Sequence, residues 1–158
     1  MVCLHTAGSD GRQYRHQLCD PDISANFRTI VFDVPRHGKS LPPAGWHLEE
    51  DEYKLTTSFY AEFIVEFCRA LELNKPVIMG QSMGGNICLE LALRYEKEFS
   101  ALIAMEACDY SPGWWIDPLH HPEIHGGEAV ATSVFGLMSP ESPDEYRWET
   151  WWYYAQGG

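Results

Sequence analysis

Gly80-Gln81-Ser82-Met83-Gly84 sets a serine between two glycines, directly after the apolar run Pro76-Val77-Ile78-Met79 and just before a helical stretch, Asn86 to Lys97. A strand, a tight turn and a helix with serine at the bend make a nucleophile elbow. Flanking glycines let strand and helix approach closely around a strained turn that lifts the serine oxygen clear of the backbone. The free N–H groups and positive dipole end of the helix then face any negative charge that develops over Ser82. Five letters alone equally describe a glycine-rich turn. The elbow is favoured by its surroundings: an apolar strand before it, a further glycine at Gly85, and Ile87, Leu91 and Tyr95 at a spacing of four on one helix face.

An elbow needs a sheet to hold it. Val2-Cys3-Leu4-His5 reads as a short strand, broken by the loop Thr6-Ala7-Gly8-Ser9-Asp10-Gly11, with a short helix over Gln13 to Leu18. Phe27 to Asp33 reads as a buried parallel strand because Thr29, Ile30, Val31 and Phe32 are β-branched or aromatic between turn residues. Thr56 to Leu73 reads as a helix capped by Thr56 or Thr57, with Phe59, Phe63, Phe67 and Leu71 on one apolar face and Ile64 beside them. Ala101-Leu102-Ile103-Ala104-Met105 is a fourth strand, followed by Glu106 and Asp109. Alternating strands and helices predict an α/β fold with a doubly wound parallel sheet. Ligands in such sheets sit beyond the carboxyl ends of the strands, where His5, Asp33, Ser82 and Asp109 all fall.

Composition narrows the partners. The chain has 158 residues, 45% of them apolar, with a net charge of −12 and no basic cluster, which excludes nucleic acid as a partner. Cys3, Cys19, Cys68, Cys88 and Cys108 form no C-x-x-C pair and read as buried free thiols. No apolar run reaches the roughly 20 residues that cross a bilayer, and the N-terminus shows no charged leader, so the expectation is a cytoplasmic protein without a membrane partner. From Tyr110 onward the chain changes character, and five of the six tryptophans crowd there. Tyr146 to Gln156 reads as a helix with Trp148, Trp151, Trp152 and Ala155 on one face, either core packing or an apolar wall over the crevice.

The strand-then-His5 loop, Asp33-Val34-Pro35-Arg36-His37-Gly38-Lys39-Ser40 and Gly80-Gln81-Ser82-Met83-Gly84-Gly85 together resemble the α/β-hydrolase fold superfamily over roughly residues 2 to 110. The resemblance implies a partial hydrolase core over 1–110 and an aromatic-rich helical cap over 111–158. It makes Ser82 the nucleophile, gives the oxyanion the N–H groups of Ala7 and Met83, and offers Asp109 as the acid. His5, Trp114 and Trp151 are expected beside the substrate. Thr6 stands where the family usually carries glycine, and the strands that bear its catalytic histidine have no counterpart here. Bases within the chain are therefore limited to His120, His121 and His125, which are expected to be cap residues, while His5 and His37 are expected to be structural.

The histidines of the tail, with Asp117, Glu123 and Glu128, are not expected to bind metal, since His120 and His121 are adjacent and Pro122 stiffens the run. No cofactor is called for: the glycines at Gly8 and Gly11 lack nucleotide-loop spacing. The expected function is hydrolysis of carboxylic esters or related acyl bonds, of esterase or lactonase kind, on a small substrate with an apolar part, by a chain incomplete as it stands. The alternative is a small-ligand-binding relative that lacks the base, or a fragment that needs a partner chain. Strand edges left open imply self-association.

Overall fold

Each strand of the sheet is a short apolar run ending in a polar turn, and all four lie parallel. The computed structural model describes residues 1–42, 44–45, 55–110, 121 and 123–156. Strands β1 (Val2–Leu4), β2 (Ile30–Val31), β3 (Val77–Gln81) and β4 (Ala101–Met105) pair in the order β2-β1-β3-β4. The register sets Leu4 opposite Gly80 and Gln81 opposite Met105, so the strand ends that carry the candidate residues are level with one another. This is the doubly wound α/β arrangement expected from the alternation of strands and helices.

Between β1 and β2 lie a 3-10 turn (Gly11–Tyr14) and two short helices, α1 (Arg15–Cys19) and α2 (Pro21–Asn26). Helix α2 starts where Asp20 accepts the N–H groups of Asp22 and Ile23 and proline occupies the first helical position. Strand β2 is shorter than the Phe27-to-Asp33 reading because only Ile30 and Val31 find partners, on the one side where β1 lies.

Helix α3 (Thr57–Ala70) is capped by Thr56, whose hydroxyl accepts the Phe59 N–H. Its buried stripe is Tyr60, Ala61, Ile64, Val65 and Cys68, rotated from the expected phenylalanine face. Phe59 and Leu71 are exposed, whereas Phe63 and Phe67 stack on Phe32 just beyond β2, with ring centroids 4.2 Å apart for Phe32 and Phe67. Phe63 and Phe67 cover the edge of the sheet, and the stripe from Tyr60 to Cys68 packs over its centre. There they join Val2, Leu4, Ile78, Ile87 and Leu91 in one core, with helix α4 (Met83–Arg94) as the other wall.

Helices α5 (Gly126–Leu137) and α6 (Asp144–Ala155) pack on each other. On α6 the buried residue is Tyr154, whereas Trp148 and Trp152 are 58% and 56% exposed, so the tryptophan stripe is not the packed face. Cys3, Cys68 and Cys88 are buried free thiols as expected; Cys19, the last residue of α1, and Cys108, in the loop after β4, are exposed, contrary to that expectation. Among the described residues no helix is long and apolar enough to cross a membrane.

β4 packs against β3 and α4, no further strand pairs with it among the described residues, and Ile103, pointing away from the core, is 41% exposed. Parallel sheets are normally covered on both faces, and the run Ala101 to Met105 carries no charge or proline to guard its free edge. We expect the purified chain to self-associate at micromolar concentration and Ile103→Lys to shift it toward monomer. Light scattering coupled to gel filtration checks this; a monomeric parent chain would contradict it.

Candidate active site

Ser82 joins β3 to α4 with φ 52° and ψ −113°. A non-glycine residue in such a region costs about 1–3 kcal/mol and persists only when its surroundings impose it. Here the Ser82 N–H donates to the Met105 carbonyl of β4 at 2.9 Å, and the Ser82 carbonyl accepts the Asn86 N–H at 2.8 Å. The glycines explain how close the helix comes. A Cβ at Gly80 would run into the Gly84 carbonyl, one at Gly84 into the Leu4 carbonyl of β1, and one at Gly85 would lie 2.6 Å from the Met105 carbonyl. The first turn of α4 thus lies directly against three strands.

β1 ends at Leu4 opposite Gly80, so the Thr6–Ala7 loop leaves the sheet from the strand next to the one that leads into Ser82. Met83 opens the helix, so its N–H has no intrahelical acceptor. Neither this N–H nor that of Ala7 meets an acceptor among the described residues. The left-handed position in the first loop falls on Gly8, at φ 74°, and Thr6 is accommodated without a positive φ.

His5 holds this loop to the end of β2. The Val34 N–H donates to His5 Nε2 at 3.0 Å, which leaves the ring proton on Nδ1, 2.9 Å from the Thr6 carbonyl. The ring is fully buried with both nitrogens engaged, so it braces the loop in place of the expected substrate contact. Burial holds its pKa below the ordinary 6.5, with a small further push from His37. Asp33 is likewise structural: its two carboxylate oxygens accept the Gly11 and Lys39 N–H groups, both at 2.8 Å.

Charged contacts dock α6 on the same loop. Arg12 reaches Asp10 and, at 2.5 Å, the side-chain oxygen of Gln156, and it stacks 4.8 Å over the Tyr153 ring. Burial pushes the Asp10 carboxyl up, but its bonds to Arg12 outweigh this and hold it below the usual range. Arg15 pairs with Glu149, and Tyr154 packs against Gly8. These contacts turn the Glu149–Tyr153–Tyr154 side of α6 inward and leave Trp151 packed between Trp148 and Trp152. An open cavity of about 570 Å³ beneath the contact is lined by Asp10, Arg12, Asp33, Lys39 and Tyr153 among others, and not by Ser82.

Asp109 is exposed beyond β4, in a segment tied to the first turn of α4 by the Cys108 N–H donating to Asn86 Oδ1 at 3.0 Å. His125 caps α5, its Nδ1 accepting the Glu128 N–H, and His121 pairs with Glu123. His37 Nδ1 lies 3.1 Å from the Pro35 carbonyl. Among the described residues no histidine hydrogen-bonds Ser82. Trp114 and His120 lie outside the described residues.

The profile of the alpha/beta hydrolase fold matches residues 1–125. The chain belongs to the α/β-hydrolase fold family. It is 33% identical over 93 residues to the magnesium-chelatase 30 kDa subunit of Rhodobacter capsulatus, which covers 59% of this chain and 30% of that subunit. Its fold superposes on the enol-lactonase of Burkholderia xenovorans with a TM-score of 0.80 at 18% identity, covering 99% of this chain and 58% of the lactonase. For a thermophilic esterase of Thermogutta terrifontis the TM-score is 0.69 at 19% identity, covering 99% and 57%. This α/β-hydrolase chain thus spans about a third of the chelatase subunit and somewhat over half of the solved relatives.

Sequence reasoning passed over Gln13, Gln81 and Glu106, whose side chains link the first loop to β3 and β4 of the α/β-hydrolase core. Glutamines carry no charge or periodicity that marks them. One available signal was that Gln81 directly precedes the serine.

His5 yields a pH prediction. Its folded pKa is depressed, so its contribution to stability is complete above 6.5 and is lost as pH falls below that value toward the folded pKa. Urea unfolding between pH 7.5 and 5 should show stability decreasing with acidification, His5 adding a slope of up to about 1.4 kcal/mol per pH unit. His5→Gln should remove that part of the slope; an unchanged slope would contradict the buried neutral ring.

Proposed function

We propose that this chain carries the nucleophile and oxyanion-binding half of a serine hydrolase acting on carboxylic esters or related acyl bonds, of esterase or lactonase kind. The observation that carries this reading is the strained Ser82 turn at the N-terminus of α4, with the loop after the neighbouring strand β1 carrying an Ala7 N–H that is free among the described residues. Ser82 Oγ attacks the acyl carbon, a base takes its proton, and the carbonyl oxygen gains negative charge toward the Met83 and Ala7 N–H groups. Collapse expels the alcohol and leaves an acyl-Ser82, which water then cleaves. Asp109 is the candidate acid, and the α5–α6 pair, with Trp151 and, by sequence, Trp114, forms a cap suited to a small substrate with an apolar part. No cofactor enters this scheme. The enol-lactonase and esterase folds support it as relatives in architecture.

One observation favours a second reading. The described histidines are engaged elsewhere: His5 with Val34 and Thr6, His16 with Glu149, His37 with the Pro35 carbonyl, His125 with the start of α5, His121 with Glu123. A chain with the crevice but no base would bind small acyl compounds without turning them over, or would act with a partner chain that supplies the histidine. The proposed setting for either form is the cytoplasm.

The test is turnover of p-nitrophenyl acetate by the 158-residue chain. Loss of a triad member leaves only about 10³–10⁴-fold acceleration over water. We expect weak turnover of that order, accompanied by acetylation of Ser82 that peptide mass spectrometry detects and Ser82→Ala abolishes. Absence of acetyl from Ser82 would overturn the hydrolase reading; vigorous turnover lost in His121→Ala or His125→Ala would put the base in the cap.

A further inference from the structure

Three side chains run in single file from the end of β4 to the first loop, and their polarity admits one direction. Gln81 Nε2 donates to Glu106 Oε2 at 2.7 Å, Gln13 Nε2 donates to Gln81 Oε1 at 2.6 Å, and the Thr6 N–H donates to Gln13 Oε1 at 3.0 Å. A carboxylate only accepts and a backbone N–H only donates. With those groups at the two ends, each amide must turn its nitrogen toward Glu106 and its oxygen toward Thr6. The charge on Glu106 therefore sets which atom meets the loop, two side chains away.

The two ends sit where positioning matters. Glu106 has φ 49°, and continuing the β3–β4 register past Gln81 and Met105 brings it level with Ser82, so two adjacent strand ends are strained together. At the other end, Thr6 precedes Ala7. The Tyr154 ring of α6 packs against Gly8, so the loop is held from the strand side by Gln13 and from the helix side by Tyr154.

We propose that Glu106, acting through Gln81 and Gln13, positions the Thr6–Ala7 peptide against Ser82 and so fixes the place of the Ala7 N–H. These are positioning residues, since none of the three touches the reacting atoms in the scheme above. The inference rests on the reading of Ala7 as an oxyanion donor, which deepens the proposed function.

Amide hydrogen exchange by NMR on the full chain tests it. Gln13→Met and Glu106→Met should each speed exchange of the Thr6 amide roughly fivefold to tenfold, the loss of one net hydrogen bond, while the core amides of Ile64, Ile78 and Leu91 stay within about twofold. Glu106→Gln should give an intermediate effect, because its amide can either accept from Gln81 or turn over and reverse the file. Should Gln13→Met fail to fold, the two Glu106 variants decide. In p-nitrophenyl acetate turnover, kcat should fall with KM unchanged in the Met variants. Thr6 exchange within twofold of the parent in Glu106→Met, or equal acceleration of all amides, would overturn the proposal. Unchanged Thr6 exchange alongside acetylation of Ser82 would remove the positioning file and keep the hydrolase. A Thr6 response with no acetyl on Ser82 would keep the file and remove the hydrolase.

Discussion

Backbone carbonyls of Leu4, Gly84 and Met105 occupy the space that a side chain at Gly84, Gly80 or Gly85 would need, and this crowding governs the site. It lets the first turn of α4 lie against β1, β3 and β4 together. Ser82 is forced into a left-handed backbone because strand and helix meet with no room for a wider turn, and the Ser82 N–H bond to Met105 secures it. The strand ends are level at Leu4 with Gly80 and Gln81 with Met105, so the first loop, Ser82 and Glu106 all leave the sheet at its carboxyl edge.

A second layer of contacts turns that convergence into a defined crevice wall. His5 ties the first loop to β2, Gln13 and Gln81 tie it to β3 and β4, and Arg12, Arg15 and Tyr154 tie α6 to its outer side. Most of these groups are partly or fully buried, where a hydrogen bond left unmade costs about 1–3 kcal/mol. The loop is therefore held from several directions at once, which would suit the proposed oxyanion role of the Ala7 N–H.

The elbow and the alternation of strands with helices were legible in the sequence because they depend on local signals: glycine spacing at Gly80, Gly84 and Gly85, and apolar runs that alternate with helix-period segments. The Ala101-to-Met105 strand has the bounds that its composition implies. What could not be read depends on which neighbours are present. Phenylalanines of α3 cover the sheet edge because β2 pairs on one side only, and periodicity alone cannot say which of two apolar stripes meets the centre. On α6, Arg12 and Arg15 draw Glu149 and Tyr153 inward, so the tryptophans face out; a hydrophobicity pattern cannot register a charge-driven rotation. Helix α5 escaped notice for a simpler reason: its cap is the atypical His125, and glycines open it.

The central claim is that this fold holds Ser82 as a nucleophile at the end of β3. The most direct test is to incubate the chain with an alkyl fluorophosphonate and map the modified residue by peptide mass spectrometry. The account predicts slow phosphonylation confined to Ser82 and absent from Ser82→Ala. An adduct spread over other hydroxyls, or an unmodified Ser82 after prolonged exposure, would contradict it.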